Sequence, residues 1–377
     1  MNTNFIQHLV NGILDKPFLW MPALTSFMVV LLLVPIIIRV AKKFGWVDVP
    51  NERKVHLKPM PRLGGIAIFI GLFFSFIIFG ASSLQGPTLY LLAALGVLFL
   101  TCVRDDVSEL KPFQKILMQL ICASIVFTGG FRITSLEGIG GHELPVAGQY
   151  FLTLLLIVGV TNAYNLIDGI DGLAAGFGFL NALIIARLSL QINQIPIAVL
   201  NISLAGALLA FLMYNFPPAR IFMGDTGAMI IGFILSVSAI VVWNAQTNGV
   251  NPHATPWLAG MFIIPVFDSI RIFFRRIYLR RSPFSPDKGH VHHLLLETGA
   301  NQSLTSTILY LANILMVALA IWFSQKHSSI IVIILLLMTA AFLMELMTVF
   351  RRISIRRRFR QEESLMKSYR LENHLVK

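Results

Sequence analysis

The stretch FMVVLLLVPIII at positions 27–38 is apolar at every position, and IIVIILLL at 330–337 repeats the pattern near the other end. Neither run alternates between polar and apolar residues at a helical or strand period, so neither has a wet face, and each suits lipid or protein on all sides. Composition carries the point to the whole chain of 377 residues: 56% are hydrophobic and only 13% charged, with mean hydropathy +0.76. An ordinary soluble domain is excluded on these grounds. The fold expected is an all-α integral membrane protein. At roughly 20 apolar residues per crossing, about eleven spans are predicted, near 21–40, 63–79, 88–103, 115–127, 150–166, 173–190, 195–214, 229–243, 255–274, 304–323 and 329–350. No internal repeat or flexible linker divides them, so residues 1–350 read as one domain, followed by a basic tail at 351–377. Residues 2–20 lack a cationic start and a small-residue cleavage site, and are not expected to be a removable signal peptide.

Orientation follows from the cations. If loops alternate sides, all but four of the 30 Lys and Arg fall on one side; the exceptions are Lys16, Arg132, Arg187 and Lys326. The N-terminus is then outside and the C-terminus cytoplasmic. A formal charge of +12 reads as this positive-inside bias plus a tail lying on anionic lipid, with no module that points to nucleic acid. Cys102 and Cys122 both fall within predicted spans, which argues against a disulfide framework or thiolate metal site.

Acids are placed at or near the ends of the apolar runs: Asp105, Asp106, Asp168, Asp171, Asp225 and Asp268. A carboxylate at the centre of a membrane helix costs about 2.5–3.5 kcal/mol, so acids this close to spans mark a functional site by default. The same parity puts Asp48, Asp105, Asp106, Asp168, Asp171, Asp225 and Asp287 on the cytoplasmic side, together with the histidine cluster. Adjacent Asp105 and Asp106, after Arg104, repel unless a cation shares their site, although a solvated helix end is the plainer reading of that pair alone. In NAYNLIDGIDG, positions 162–172, Asn162, Asn165 and Asp168 share a helix face if the span continues, and Gly169 and Gly172 let backbone approach a ligand. These hard oxygen donors suit Mg²⁺, and no EF-hand pattern with a distal Glu follows. FMGDTG at 222–227 sets Asp225 at a helix start, where amides hold phosphate and the carboxylate its metal. Beyond Arg271, Arg275, Arg276, Arg280 and Arg281 comes SPDKGHVHH at 285–293. His290, His292 and His293 lack the H-E-x-x-H spacing of a zinc enzyme and, beside arginines, read as phosphate ligands or proton carriers.

Together Arg104-Asp105-Asp106, NAYNLIDGIDGLAAG (162–176), FMGDTG (222–227) and SPDKGHVHHLLL (285–296) resemble the polyprenyl-phosphate N-acetylhexosamine-1-phosphate transferases of glycosyltransferase family 4. The HxHH form, with VDVPNERKVH at 47–56, Pro61 and Gly64-Gly65, is similar to the WecA/TagO-like branch rather than to MraY-type relatives. One departure is Ala228, where the family commonly has Ser. The resemblance implies transfer of a sugar 1-phosphate, GlcNAc-1-phosphate foremost, from a UDP-N-acetylhexosamine to undecaprenyl phosphate, releasing UMP and starting a cell-envelope polysaccharide. It implies an active site on the cytoplasmic face of a bacterial inner membrane. Mg²⁺, with Mn²⁺ as a substitute, then belongs on Asp225 and Asn165, with Asp168 and Asp171 in the catalytic set. The histidines, Arg271 and Lys288 meet the diphosphate, Asn162 contacts substrate, and Asp48, Asn51 and Lys58 bind nucleotide or close the site. Asp105, with Asp106 beside it, orients or deprotonates the lipid phosphate; a covalent phospho-aspartate stays open as the alternative. A homodimer is compatible with the sequence and not required by it. Two rivals come from other classes. A transporter or flippase would place its acids near the midplane between repeats, and a zinc hydrolase would need the missing histidine spacing.

Overall fold

The computed structural model describes residues 20–48, 59–80, 84–136, 143–245, 253–282 and 289–375. Twelve helices and a two-stranded ribbon make up the described chain. In order they are α1 (Met21–Phe44), β1 (Val47–Asp48), β2 (Met60–Pro61), α2 (Gly64–Phe79), α3 (Pro87–Val107), α4 (Pro112–Thr128), α5 (Val146–Ile167) and α6 (Leu173–Gln191). There follow α7 (Ile195–Asn215), α8 (Gly224–Asn244), α9 (Ala254–Tyr278), α10 (Val291–Glu297), α11 (Gln302–Ser324) and α12 (Ser329–Leu375). Each predicted apolar stretch lies at least largely within one of these helices. Nine are long and apolar enough to cross a membrane; α2 and α4 are shorter apolar helices. The chain is an integral membrane protein.

The bundle is organised round α8. About 89% of its apolar stretch is covered by protein, against 22% for α1 and α12, so α8 is the axis and those two face outward. α8 packs on α2, α3, α5, α6, α7 and α9. Large apolar side chains left exposed on the outer helices, such as Leu32, Leu311 and Met338, would be a liability in water and are the lipid contact in a bilayer.

Lipid offers helices no hydrophobic reason to associate, so close packing and polar ties hold the bundle together. Gly65 of α2 has no room for a side chain: a Cβ would lie 2.7 Å from Gly227 Cα and 2.8 Å from the Thr226 carbonyl carbon. Ser75 of α2 donates to Pro22 O at 2.7 Å and shares a 2.9 Å contact with Ser203 of α7. Pro265 inside α9 lacks an amide hydrogen, which frees the Met261 carbonyl one turn earlier. The buried Asn181 of α6 fills it, donating at 3.1 Å, while also donating to Tyr164 Oη and accepting from Asn313 of α11.

Two expectations meet a different outcome. α5 stops at Ile167, and Asp168 is a non-helical C-cap (φ −74°, ψ 49°), so the helix face shared by Asn162 and Asn165 ends one residue short of Asp168. α12 runs without a break through 351, where a separate tail was expected to begin; Arg351 pairs with Glu297, and Ser354 donates to Thr298 O at 2.7 Å. Among the described residues, the loop after α4 pairs Ser135 with Glu143 in an antiparallel bridge.

Candidate active site

The functional side chains meet at one end of the bundle, where α3 and α5 finish and α4, α8 and α10 start. Gly224 (φ +73°) turns the chain into α8, and its missing Cβ is what admits Asp106, whose carboxylate oxygens would stand 2.6–2.7 Å from it. Asp106 then fills the helix start. Its Oδ1 accepts from the Asp225 amide at 2.7 Å; its Oδ2 accepts from the Thr226 amide at 3.1 Å and from Thr226 Oγ1 at 2.5 Å. The amides expected to hold a substrate phosphate are therefore occupied by an acid of the protein itself. The reason is electrostatic: orphan N–H groups at a helix start attract the nearest anion, and α3 supplies one.

Asp105, 4% exposed, is used differently. Oδ1 accepts from the Leu110 amide at 2.7 Å, closing the short link after α3. Pro112 at the start of α4 has the backbone angle that the first helical turn wants, and Lys115 follows in that turn. Its Nζ lies 2.6 Å from Asp105 Oδ2 and 2.5 Å from Asp225 Oδ2. Two acids from separate helices thus converge on one cation-sized point. The side chain of Asn165 stands beside Asp225 as well.

Asp168 stands just past α5, in the field of Asp225, Asp106 and Asp171. It is half-buried, yet enough protein surrounds it that loss of water, with those three charges, pushes its carboxyl up to about 8 against the pull of Arg62. Arg62 follows the ribbon and lies 3.4 Å from Asp48. Asp171 accepts from the Ala219 amide at 3.0 Å, and its own amide donates to Gln302 Oε1, which locks the loop onto α11. Asn162 donates to Gln119 Oε1 at 2.6 Å and to Val158 O at 2.8 Å, a tie between α4 and α5.

The histidines join this site through Gly169. The ring of His292 lies where a Gly169 side chain would be, so the close approach predicted there is made by an imidazole. Burial, with His293 and His290 beside it, pushes His292 down to about 3, and the neutral ring packs 4.3 Å from His293 and 5.8 Å from His290, centroid to centroid. Asp268 holds His290 and Arg271. Ala228, the departure from the family pattern, is fully buried in the first turn of α8. Asn51, Lys58, Asp287 and Lys288 lie outside the described residues.

Sequence reading passed over three of these residues. Lys115 had counted only as a positive-inside charge; its place ten residues after Asp105, in the first turn beyond Pro112, was the available signal. Asp268 was noted as an acid without a role, although the run IIPVF just before it already set it against apolar sequence. Arg62 offered no signal apart from its position next to Gly64-Gly65.

Hard oxygen donors only, converging on a point already occupied by an ammonium group, fit Mg²⁺ or Mn²⁺. Among the described residues no three His, Cys, Asp or Glu side chains form a metal cage. Mg²⁺ suits such a site, because it commonly takes one or two carboxylates and fills its shell with water and substrate phosphate.

A carboxylate-lined site of this kind, at the ends of apolar helices, defines a membrane protein that gathers cation-holding groups beside lipid. The model for glycosyl transferase family 4 matches residues 88–243. A probable undecaprenyl-phosphate N-acetylglucosaminyl 1-phosphate transferase of Bacillus subtilis (strain 168) is 36% identical over 294 residues, covering 76% of this chain and 80% of the relative. A decaprenyl-phosphate N-acetylglucosaminephosphotransferase of Mycobacterium tuberculosis (strain CDC 1551 / Oshkosh) is 36% identical over 72% of this chain and 74% of its own. The undecaprenyl-phosphate alpha-N-acetylglucosaminyl 1-phosphate transferase of Escherichia coli (strain K12) is 31% identical over 77% and 79%. The chain belongs to glycosyl transferase family 4, and it is a multi-pass membrane protein with bacterial relatives.

Proposed function

We propose that the protein transfers N-acetylglucosamine 1-phosphate from UDP-N-acetylglucosamine to undecaprenyl phosphate on the cytoplasmic face of a bacterial inner membrane. A lipid phosphate oxygen attacks the sugar-bearing phosphorus, the bond to the other phosphate breaks, and UMP leaves. The observation that carries this reading is the convergence of Asp105, Asp225 and Lys115 at one end of the bundle, in a chain related over most of its length to enzymes with this named activity.

Phosphoryl transfer asks a protein for positioning and charge neutralisation rather than covalent chemistry. Asp225 and Asn165, supported by Asp168, would hold Mg²⁺ or Mn²⁺, which when bound neutralises diphosphate charge. Lys115 keeps the paired acids from repelling and offers N–H groups to an arriving phosphate. Asp105, anchored on Leu110, orients the lipid phosphate. It has little deprotonating to do, since a phosphate monoester with a second pKa near 6 is already mostly dianionic at neutral pH. Asp106 and Asp171 act by holding α8 and the loop after α5 in place. His290, His293 and Arg271 would face the diphosphate, with His292 packed behind them against Gly169 and Asp48, Asn51, Lys58 and Lys288 on the nucleotide side. A transporter is the weaker reading, because the acids sit at helix ends rather than at mid-depth.

The test is UMP release by purified protein in detergent, given UDP-GlcNAc, undecaprenyl phosphate and Mg²⁺. Lipid-dependent UMP is expected, falling to background with EDTA or in Asp225→Ala. Release only from another UDP-N-acetylhexosamine changes the donor; silence with every donor overturns the transferase reading.

A further inference from the structure

Asp268 lies in α9, three residues beyond Pro265, and is 3% exposed. A carboxylate so fully buried is costly unless its lone pairs are filled. Oδ1 accepts from Arg271 Nη2 at 2.7 Å and from the Val291 amide at 3.2 Å; Oδ2 lies 2.8 Å from His290 Nδ1. Arg271 also donates to Gly289 O at 2.5 Å, which fixes the backbone just before the histidine. With an arginine and an amide already donating to it, Asp268 is an ionised acceptor, and an ionised carboxylate has no hydrogen to give. The hydrogen in the contact with His290 therefore sits on Nδ1, and Nε2 is the ring nitrogen left to meet a ligand. The His292 ring, parallel to that of His290 within 5°, limits the ring plane from one side.

We propose that Asp268 is a positioning residue for His290: it holds the Nδ1–H form and the ring plane, so that Nε2 addresses the diphosphate of the donor. The inference rests on the transferase reading for what His290 meets, and on geometry alone for how it is held. Sequence offers no hint of the pairing, since 22 residues separate the two. The competing role is purely structural, a clasp between α9 and the start of α10.

A double-mutant cycle with Asp268→Asn, His290→Gln and the double variant separates the two. Asparagine keeps the shape and an acceptor but loses the charge, and its NH₂ group offers His290 the opposite hydrogen-bond pattern. Removing a carboxylate that orients a metal-bound histidine costs about 10- to 100-fold in affinity or activity, and a loss of that order is expected for a histidine held the same way against a diphosphate. We expect Asp268→Asn to lower kcat by that factor, with KM for the UDP-sugar changed less than about twofold. His290→Gln should lose at least as much, and the double variant no more than His290→Gln alone. If the losses multiply in the double variant, or fall in step with melting temperature, Asp268 is a clasp and the proposal is overturned. A second readout needs no turnover. In ¹⁵N-histidine-labelled protein, the His290 signals, found by difference from His290→Gln, should show a protonated Nδ1 that changes in Asp268→Asn; an unchanged spectrum overturns the pairing. A wild-type protein without UMP release sinks the transferase reading, and the nitrogen spectrum then decides the pairing by itself.

Discussion

Asp168 illustrates what a single residue carries. Its motif, followed by Gly169, marks it in the sequence as a ligand-side acid, yet its charge state depends on neighbours from other helices. Burial first, then Asp225, Asp106 and Asp171, lift its carboxyl from the ordinary 3.8 to about 8. Between about pH 4 and 8 the unfolded chain has lost that proton while the folded one keeps it, so the folded state loses stability as pH rises through this window and levels off above it. Asp168→Asn removes the effect. Without divalent cation, the melting-temperature gain of the variant over wild type should grow from about pH 4 and reach a plateau above about pH 8. A gain independent of pH would show that Asp168 ionises normally. His292 carries the opposite sign: held neutral down to about 3 against an ordinary 6.5, it withdraws stability as pH falls between those values.

Among the elements, α8 depends on its first turn. Asp106 of α3 accepts three hydrogen bonds from Asp225 and Thr226, so the acid that caps α8 also sets where the Asp225 side chain begins. Loss of an aspartate cap costs about 0.5–2 kcal/mol. Asp106→Ala should therefore lower the melting temperature and reduce UMP release together, whereas Asp106→Asn, which keeps one oxygen acceptor, should retain more of both. Normal stability with lost activity in Asp106→Ala would assign Asp106 to the chemistry instead. The helices themselves were legible because an uninterrupted apolar stretch has no other stable state in lipid, where every backbone polar group must be satisfied within the helix. Their ends were less so. α5 gives way at Asp168 and α12 runs past 351 because capping and cross-helix pairs such as Arg351 with Glu297 decide them, and hydropathy is silent about these.

For the molecule as a whole, the distribution of Lys and Arg predicts which side each loop faces. Cys102 and Cys122 are buried, so they give little background for labelling single exposed cysteines with a membrane-impermeant maleimide. Ser328→Cys should label in intact cells, and Ser108→Cys only after permeabilisation; the reverse pattern would invert the topology and move the acids outside. Membrane residence, the helical stretches and the acids near their ends are all readable along the chain, because they follow from hydropathy and spacing within a local segment. The chain also carries the family resemblance that relatives bear out. How those acids are used emerges from helix packing: Lys115 reaches Asp225 across 110 residues and Asp106 reaches the start of α8 across 119. Such pairings are set by which helices pack against which, and in lipid that choice rests on close-fitting small residues and on satisfying buried polar groups, neither of which any single stretch of sequence contains.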